Sequence, residues 1–246
     1  MLNNSKIDSE QLKKFRHEVT RCMLLYKFAL AEISTKVNIL QEEFQLIHEY
    51  NPIEHVNTRV KSPESILKKV QKKKLPLSIP SIQENIHDIA GIRIICSFVS
   101  DIYRIADMIQ SQEDIDVIEV KDYIKNPKPN GYQSLHIIIK IPVFMTYGEE
   151  YVFVEMQIRT IAMDFWASLE HKIYYKYNKK VPSHLTDELK EAAEVAAHLD
   201  QKMEKLNNEV TLLKEAEADE ETIEDPSDTV KLLYNEIKKI ELRYRQ

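Results

Sequence analysis

Apolar residues at Leu30, Ile33, Val37, Leu40, Phe44 and Ile47 recur every three or four positions, and neither Pro nor Gly occurs before Pro52. That period predicts one long helix over the first fifty residues. Ser62-Pro63, followed by Ser65-Ile66-Leu67, predicts a second helix with Ser62 as cap and Pro63 in the first turn, inside a basic helical segment over 59–74. Pro76 and Pro80 then break the chain. From residue 90 the period falls to two. Segments 90–98, 115–121, 134–142 and 150–159 are short, rich in β-branched residues and bounded by turns, and they predict four strands. A helix near 101–112 separates the first two, the loop Asn126–Gly131 precedes the third, and Tyr147-Gly148-Glu149 predicts a hairpin turn. Helices resume at 160–178 and 184–215, and a last amphipathic segment (Val230, Leu233, Ile237, Ile240, Tyr244) runs from Asp228 to Arg245. The organisation is helix, sheet, helix. It divides into an N-terminal helical region at 1–50, a core at 51–180, a C-terminal helix at 181–214, and an acidic linker with a terminal helix at 215–246.

Charge changes this picture because it is segregated. The formal charge is −6, yet eight acids between Glu215 and Asp228 account for all the excess, and without them it would be +2. The stretch 59–74 instead carries Arg59, Lys61, Lys68, Lys69, Lys72, Lys73 and Lys74 against Glu64 alone, and is where a polyanion would bind. Composition then excludes whole classes. The three glycines, Gly91, Gly131 and Gly148, cannot spell a G-x-G-x-x-G fingerprint or a P-loop, so any phosphate must be held by side chains. Cys22 and Cys96 are too few for a zinc site or a disulfide framework. No apolar run reaches about 18 residues, and Met1 is followed by Leu-Asn-Asn-Ser rather than a signal sequence, so a cytoplasmic protein without a membrane partner is expected.

The strands carry the candidate chemistry. In 150–159, Val152, Val154, Met156 and Ile158 alternate with Phe153, Glu155, Gln157 and Arg159. In 134–142, Ser134, His136, Ile138 and Lys140 oppose an apolar face, and in 90–98 Gly91, Arg93, Ile95 and Ser97 do the same, with Asp88 just before them. A polar outer face of an antiparallel sheet would produce such alternation. Yet Asp88, Arg93, His136, Glu155, Gln157 and Arg159 on neighbouring faces also suit a divalent cation and a phosphate chain. Mg²⁺ takes one or two carboxylates and fills its shell with phosphate oxygens and water, while arginine pairs with phosphate and stacks on bases.

Four blocks in order, Asp88-Ile89-Ala90-Gly91-Ile92-Arg93, Lys121-Asp122-Tyr123-Ile124, Pro127–His136 and Glu155-Met156-Gln157-Ile158-Arg159-Thr160, resemble the RelA/SpoT synthetase domain. The chain's size is similar to that of stand-alone small alarmone synthetases of the RelP/RelQ type. The likeness spans about residues 24–210. It implies an α+β fold with a central mixed, nucleotidyltransferase-like sheet flanked by helices. It also implies transfer of the β,γ-pyrophosphate of ATP to the 3′-hydroxyl of GDP or GTP, making (p)ppGpp in the stringent response. Carried onto matching positions, Asp88 would hold Mg²⁺ and Glu155 would share the metal or take the 3′-hydroxyl proton. Arg59 and Arg93 would sandwich the adenine, and Lys61, Ser65 and Lys69 would grip the ATP phosphates. Tyr132 would stack on guanine, with Lys121, Lys128, His136 and Gln157 around the acceptor. The loop Glu119-Val120-Lys121-Asp122 mixes the basic and acidic versions of long family members. His87-Asp88 imitates the family's hydrolase pair, but the residues before it lack that domain's ligands, so no hydrolase is expected.

Two other readings stand beside this one. A nucleotidyltransferase would use the same site to transfer AMP and release pyrophosphate. An RNA-binding module would use the basic segment and exposed tyrosines, without needing a carboxylate among the cations. The wide apolar stripes of the terminal helices predict homo-oligomerisation, for which the resemblance implies a tetramer. RNA or an alarmone is a candidate regulator.

Overall fold

The computed structural model describes residues 9–48, 50–176 and 182–218, together with Lys231, Tyr234, Asn235, Ile237 and Lys238. Helix α1 (Ser9–Ile47) buries Leu25, Tyr26, Ala29, Leu30, Ile33, Val37 and Phe44 on one stripe. Ile47, the last residue of the predicted stripe, instead stands 74% exposed. A strand then intervenes where a basic helical segment was expected: β1 (Ile53–Val60) pairs antiparallel with β2 (Ala90–Cys96), so Arg59 lies on a strand.

Helix α2 (Pro63–Lys73) begins as predicted, with the Ser62 hydroxyl accepting from the Ser65 amide and Pro63 in the first turn, and it ends at Lys74 in the left-handed region (φ 55°). One of the two prolines that were expected only to break the chain also starts a helix. In α3 (Ile79–Asn85), Pro80 occupies the first turn, where a missing N–H costs nothing, and Ser78 caps it through the Ser81 amide.

After β2 come α4 (Val99–Gln110), β3 (Asp116–Asp122), β4 (Leu135–Met145), β5 (Gly148–Thr160), α5 (Ile161–Lys176) and α6 (Ser183–Ala218). The sheet therefore has five strands, in the order β1-β2-β5-β4-β3, with β2 and β5 parallel and every other pair antiparallel. This is the expected α+β fold with a mixed sheet and long terminal helices.

One sheet face, including Ile92, Ile94, Ile137, Ile139, Val154, Met156 and Ile158, packs into a single core with α1 and with Ile102, Ile105 and Ile109 of α4. Each such fully buried aliphatic side chain is worth roughly 1.5–3 kcal/mol in burial alone. The core fixes which way every alternate side chain points, and so fixes the polar face on the other side. Ile95 is an exception to the expected polar face, being fully buried there.

Beyond the sheet, α5 and α6 pack through Trp166, Ala167 and Ala193, and the Trp166 indole donates to the Leu189 carbonyl (2.9 Å). They buttress the loop before β4. Gly131 there has φ +87°, and a Cβ on it would lie 2.5 Å from the Ala193 Cβ, so both backbone and space require glycine. The β4–β5 hairpin forms where it was expected but turns at Thr146-Tyr147, pairing Met145 with Gly148 so that Gly148 and Glu149 already belong to β5.

The chain separates into two compact units, Met1–Glu204 and Lys205–Gln246. Within the second, the helix through Ala218 takes in Glu215, the first acid of the expected linker. Lys231, Tyr234, Asn235, Ile237 and Lys238 are helical, with Tyr234 and Ile237 exposed. The remaining acids from Asp219 on, and Val230, Leu233, Ile240 and Tyr244, lie outside the described residues.

Candidate active site

Strand register assembles the site in two rows across the sheet. One row runs Asn57, Arg93, Gln157, His136 and Lys121, and the other Arg59, Gly91, Glu155, Ile138 and Glu119. Because side chains alternate, residues in these two rows on one face project to the same side. A cleft of about 170 Å³ opens there, lined by Asn57, Thr58, Arg59, Gly91, Ile92, Arg93, Glu155 and Gln157. Gly91 leaves room between Arg59 and Glu155, its missing side chain facing only the two strands' carbonyls at 3.7 and 3.9 Å.

At one end stands an ionic cluster. The Lys61 amide donates to the Ile89 carbonyl, which carries its side chain alongside Asp88. Lys69 reaches the same carboxylate from α2, and both ammonium groups donate to Asp88 Oδ2 at 2.5 Å. Burial raises the Asp88 pKa, but the hydrogen bonds and charges of the two lysines outweigh it and hold the group below its ordinary value. The other oxygen, Oδ1, is buried without a partner. Arg93 Nε is likewise buried and unpartnered. Orphaned polar atoms are rare in a folded protein, and these two mark groups that a bound ligand would satisfy.

At the other end the groups form a closed hydrogen-bond network. Arg159 Nη2 donates to Tyr132 Oη (2.6 Å) and to Gln157 Oε1 (2.5 Å), and its Nε meets Ser134 Oγ (3.4 Å). Tyr132 Oη lies 2.8 Å from His136 Nε2, His136 Nδ1 is 3.5 Å from Glu155 Oε1, and Gln157 Nε2 donates to Glu155 Oε2 at 2.9 Å. One proton arrangement satisfies all of these: Tyr132 accepts from arginine and donates to Nε2, which leaves Nδ1–H to donate to Glu155. Burial raises the Glu155 pKa, while His136 and then Gln157 pull it down and win, so Glu155 is an ionised acceptor near neutrality. Tyr132 also meets the rings of Tyr123 and His136 edge-on, with Lys128 4.7 Å from its centroid.

The structure thus gathers Asp88, Lys61 and Lys69 into one group and Tyr132, Lys128, His136, Glu155 and Gln157 into another, with Arg59 and Arg93 on the cleft between them. Ser65 is exposed on the first turn of α2, its hydroxyl 3.1 Å from that of Ser62. Lys121 is exposed and engaged by Glu119 (2.7 Å), which raises its pKa.

Asp164 was missed by sequence reasoning. It lies in the first turn of α5, and its Oδ1 accepts from Arg93 Nη1 (3.0 Å) and from Arg159 Nη1 (3.2 Å). Asn130 was also passed over: its side chain accepts from the Tyr132 amide (3.3 Å) and donates to Glu170 (3.3 Å), pinning the loop from within. An acid in a helix's first turn reads as a dipole partner, and nothing in its spacing shows a reach to two strands.

Among the described residues, no group of three or more His, Cys, Asp or Glu side chains is placed to hold a metal. The residues do fit a cation held partly by its ligand. Asp88 presents a free buried oxygen, and its charge acts on Glu155, which puts two carboxylates within electrostatic reach. Mg²⁺ commonly takes only one or two protein carboxylates.

The chain is similar to known proteins in sequence and in fold. The family described as "Region found in RelA / SpoT proteins" matches residues 58–180. GTP pyrophosphokinase YwaC of Bacillus subtilis is 55% identical over 201 residues, 82% of this chain and 96% of its own. Small alarmone synthetase 2 from Bacillus subtilis superposes with TM-score 0.72 at 55% identity, over 78% of this chain and 99% of that one. Small alarmone synthetase 1 from the same organism, bound to its product pppGpp, gives TM-score 0.73 at 36% identity, over 78% and 98%. With its central residues matched and a relative of that identity covering most of both chains, the chain belongs to the RelA/SpoT family.

Proposed function

We propose that this chain makes (p)ppGpp, transferring the β,γ-pyrophosphate of ATP to the ribose 3′-hydroxyl of GDP or GTP and releasing AMP. Glu155 is the observation that carries this reading. Its carboxylate is tied through His136 and Gln157 to the tyrosine-presenting loop, and it lines the same cleft as Arg59 and Arg93. A donor purine between the two guanidinium groups and an acceptor nucleoside on Tyr132 would meet at this carboxylate.

Pyrophosphoryl transfer needs alignment and charge neutralisation more than covalent chemistry. Arg59 and Arg93 hold the adenine. Lys61 and Lys69 let go of Asp88 to bind the β- and γ-phosphates, and Ser65 adds a hydroxyl at the N-terminus of α2. Tyr132 stacks on the guanine, with Lys128, Lys121, His136 and Gln157 around the acceptor and its phosphates. The 3′-oxygen attacks the β-phosphorus, the bond from that phosphorus to the α-phosphate oxygen breaks, and AMP leaves with the bridging oxygen. Glu155 accepts the hydroxyl proton, with His136 and Gln157 holding its carboxylate in line. Asp88 and Glu155 would hold Mg²⁺, which when bound neutralises charge developing on the phosphates.

Incubation with ATP, Mg²⁺ and GDP or GTP should yield AMP with a guanosine tetra- or pentaphosphate. Pyrophosphate released in place of AMP, or no product with either guanine nucleotide, would overturn the reading.

A homotetrameric assembly is part of the proposal. Phe165, Ile161, Ile173, Val195, Leu199 and Met203 leave an apolar face on α5 and α6, and light scattering showing a monomer would refute it. So is action in the cytoplasm, supported by the free thiols Cys22 and Cys96. Among the described residues no helix is long and apolar enough to cross a membrane.

A further inference from the structure

We propose that Asp164 is a positioning residue that couples the donor and acceptor halves of the site, so that binding of one nucleotide strengthens binding of the other. The inference rests on the pyrophosphotransfer reading above. One oxygen, Asp164 Oδ1, accepts from Arg93 on the donor side and from Arg159 on the acceptor side.

Arg159 is buried, and each nitrogen of its guanidinium is engaged: toward Ser134, Asp164, Tyr132 and Gln157. Any movement of Asp164 therefore passes directly to the Tyr132 ring and, through Gln157, to Glu155. Arg93 is different. It is half-buried; its Nη1 donates to Asp164 and its Nε has no partner, so its position is held from one side only. A donor base resting on Arg93 fixes that guanidinium, which fixes Asp164, which fixes Arg159 and the acceptor platform. The reverse chain holds for the acceptor, as linkage requires.

Charge reinforces the geometry. Two guanidinium groups that lie within bonding distance of one oxygen repel each other, and burial first, then the repulsion from Arg93, act against the charged form of Arg159. Asp164 is the anion that lets them stand together. A carboxylate doing this is worth more than a neutral acceptor of the same shape, because both of its hydrogen bonds are charge-assisted.

An acid in the first helical turn could instead serve only the helix, by lying near the positive end of α5. The two roles differ in what a substitution moves. A helix-only role predicts a small loss of thermal stability, with nucleotide affinities unchanged. A positioning role predicts that Asp164→Asn raises the KM of ATP and of the guanine nucleotide together, each by roughly tenfold, and that Asp164→Glu restores much of both.

The test measures binding by titration calorimetry, using a non-hydrolysable ATP analogue and GDP, each alone and each in the presence of the other. The parent chain is expected to bind GDP several-fold more tightly when the analogue is present. In Asp164→Asn the single affinities fall and that mutual tightening disappears; in Asp164→Glu it returns. A parent chain with no mutual tightening would overturn the coupling, as would an Asp164→Asn protein that keeps it, or one that loses melting temperature alone. Should Asp164→Asn not fold, Asp164→Ser makes the same comparison, since it too removes the carboxylate shared by the two guanidinium groups, and the parent's own mutual tightening still decides whether the two halves are coupled. A chain that binds both nucleotides cooperatively but forms no AMP would remove the proposed reaction and leave the role of Asp164 standing.

Discussion

The two ends of the cleft are built from different materials. The Asp88 end is ionic: one carboxylate, two lysines, and a buried carboxylate oxygen with no partner. The Tyr132 end is a closed chain of hydrogen bonds in which arginine, tyrosine, histidine, glutamine and glutamate each have a partner. The first arrangement is incomplete until a ligand arrives, because the lysines that neutralise Asp88 are those that phosphates would take. The second already has its partners, and a donor acting through Asp164 only tightens the hold on its ring and its base. A site that must hold a flexible triphosphate at one end and aim a hydroxyl at the other gains from this division: exchangeable charge where the ligand is polyanionic, fixed geometry where a proton moves.

Glu155 sits at the junction, and its substitution should break the comparison most severely. Glu155→Gln keeps the shape and a hydrogen-bonding oxygen but removes the proton acceptor. Turnover is expected to fall roughly 10²–10⁴-fold, with both nucleotides still binding. Near-parental turnover in a steady-state assay would take Glu155 out of the mechanism.

Next in size is the ring of the acceptor end. Tyr132→Ala removes a stacking surface worth roughly 1–3 kcal/mol per base and strips partners from Arg159 and His136. The acceptor KM should rise by about tenfold or more while the KM of ATP changes much less. Equal effects on the two nucleotides would show that the ends are not separable at this residue.

A smaller change probes how the platform is held. Gly131→Ala adds a methyl that would meet Ala193 at 2.5 Å, from a backbone at φ +87°. Either the loop or α6 must shift. Left-handed backbone alone costs a non-glycine residue roughly 1 kcal/mol, and the displaced loop should raise the acceptor KM several-fold with ATP affinity nearly intact. An unchanged acceptor KM would mean that α6 gives way and the loop is not held by it.

How much of this was legible beforehand follows the same physics. Period-two alternation exposed the faces of β2, β4 and β5, and with them Arg93, His136, Glu155 and Gln157, because burial of the opposite face leaves a repeating mark. Strand β1 left none: Ile53-Glu54-His55-Val56-Asn57-Thr58-Arg59-Val60 is a mostly exposed edge strand, and its basic end merged in charge with α2. Helix α3 hid behind Pro80, which reads as a breaker unless its place in a first turn is known. Distance in sequence hid the rest. The ties of Asp88 to Lys61 and Lys69 span 27 and 19 residues, and the reach of Asp164 to Arg93 spans 71. No local period encodes such pairings; they follow from the sheet's register and the packing of α5.

The smallest expected effect concerns acid and separates the ends by stability rather than activity. Asp88 has a folded pKa below its unfolded value, because Lys61 and Lys69 favour its charged form more strongly than burial opposes it. Unfolding at a pH between those two values therefore takes up a proton. The stabilisation is full above the unfolded pKa, about 3.9, and is lost as the pH falls through the folded one. Glu155 acts in the same direction through His136 and Gln157. Asp200, raised by burial beside Thr160 and outside the cleft lining, acts in the opposite direction, since its folded form holds its proton more tightly. Asp88→Asn should therefore flatten the acid limb of a melting-temperature profile below about pH 4, and Asp200→Asn should steepen it while costing little near neutrality. The Asp88 change also leaves two lysines facing each other without an anion, so ATP or inorganic triphosphate should raise the melting temperature of that variant more than that of the parent. An acid limb unchanged by Asp88→Asn would mean that the lysine clamp contributes nothing to stability, and that the donor end is held by the fold around it rather than by its own charges.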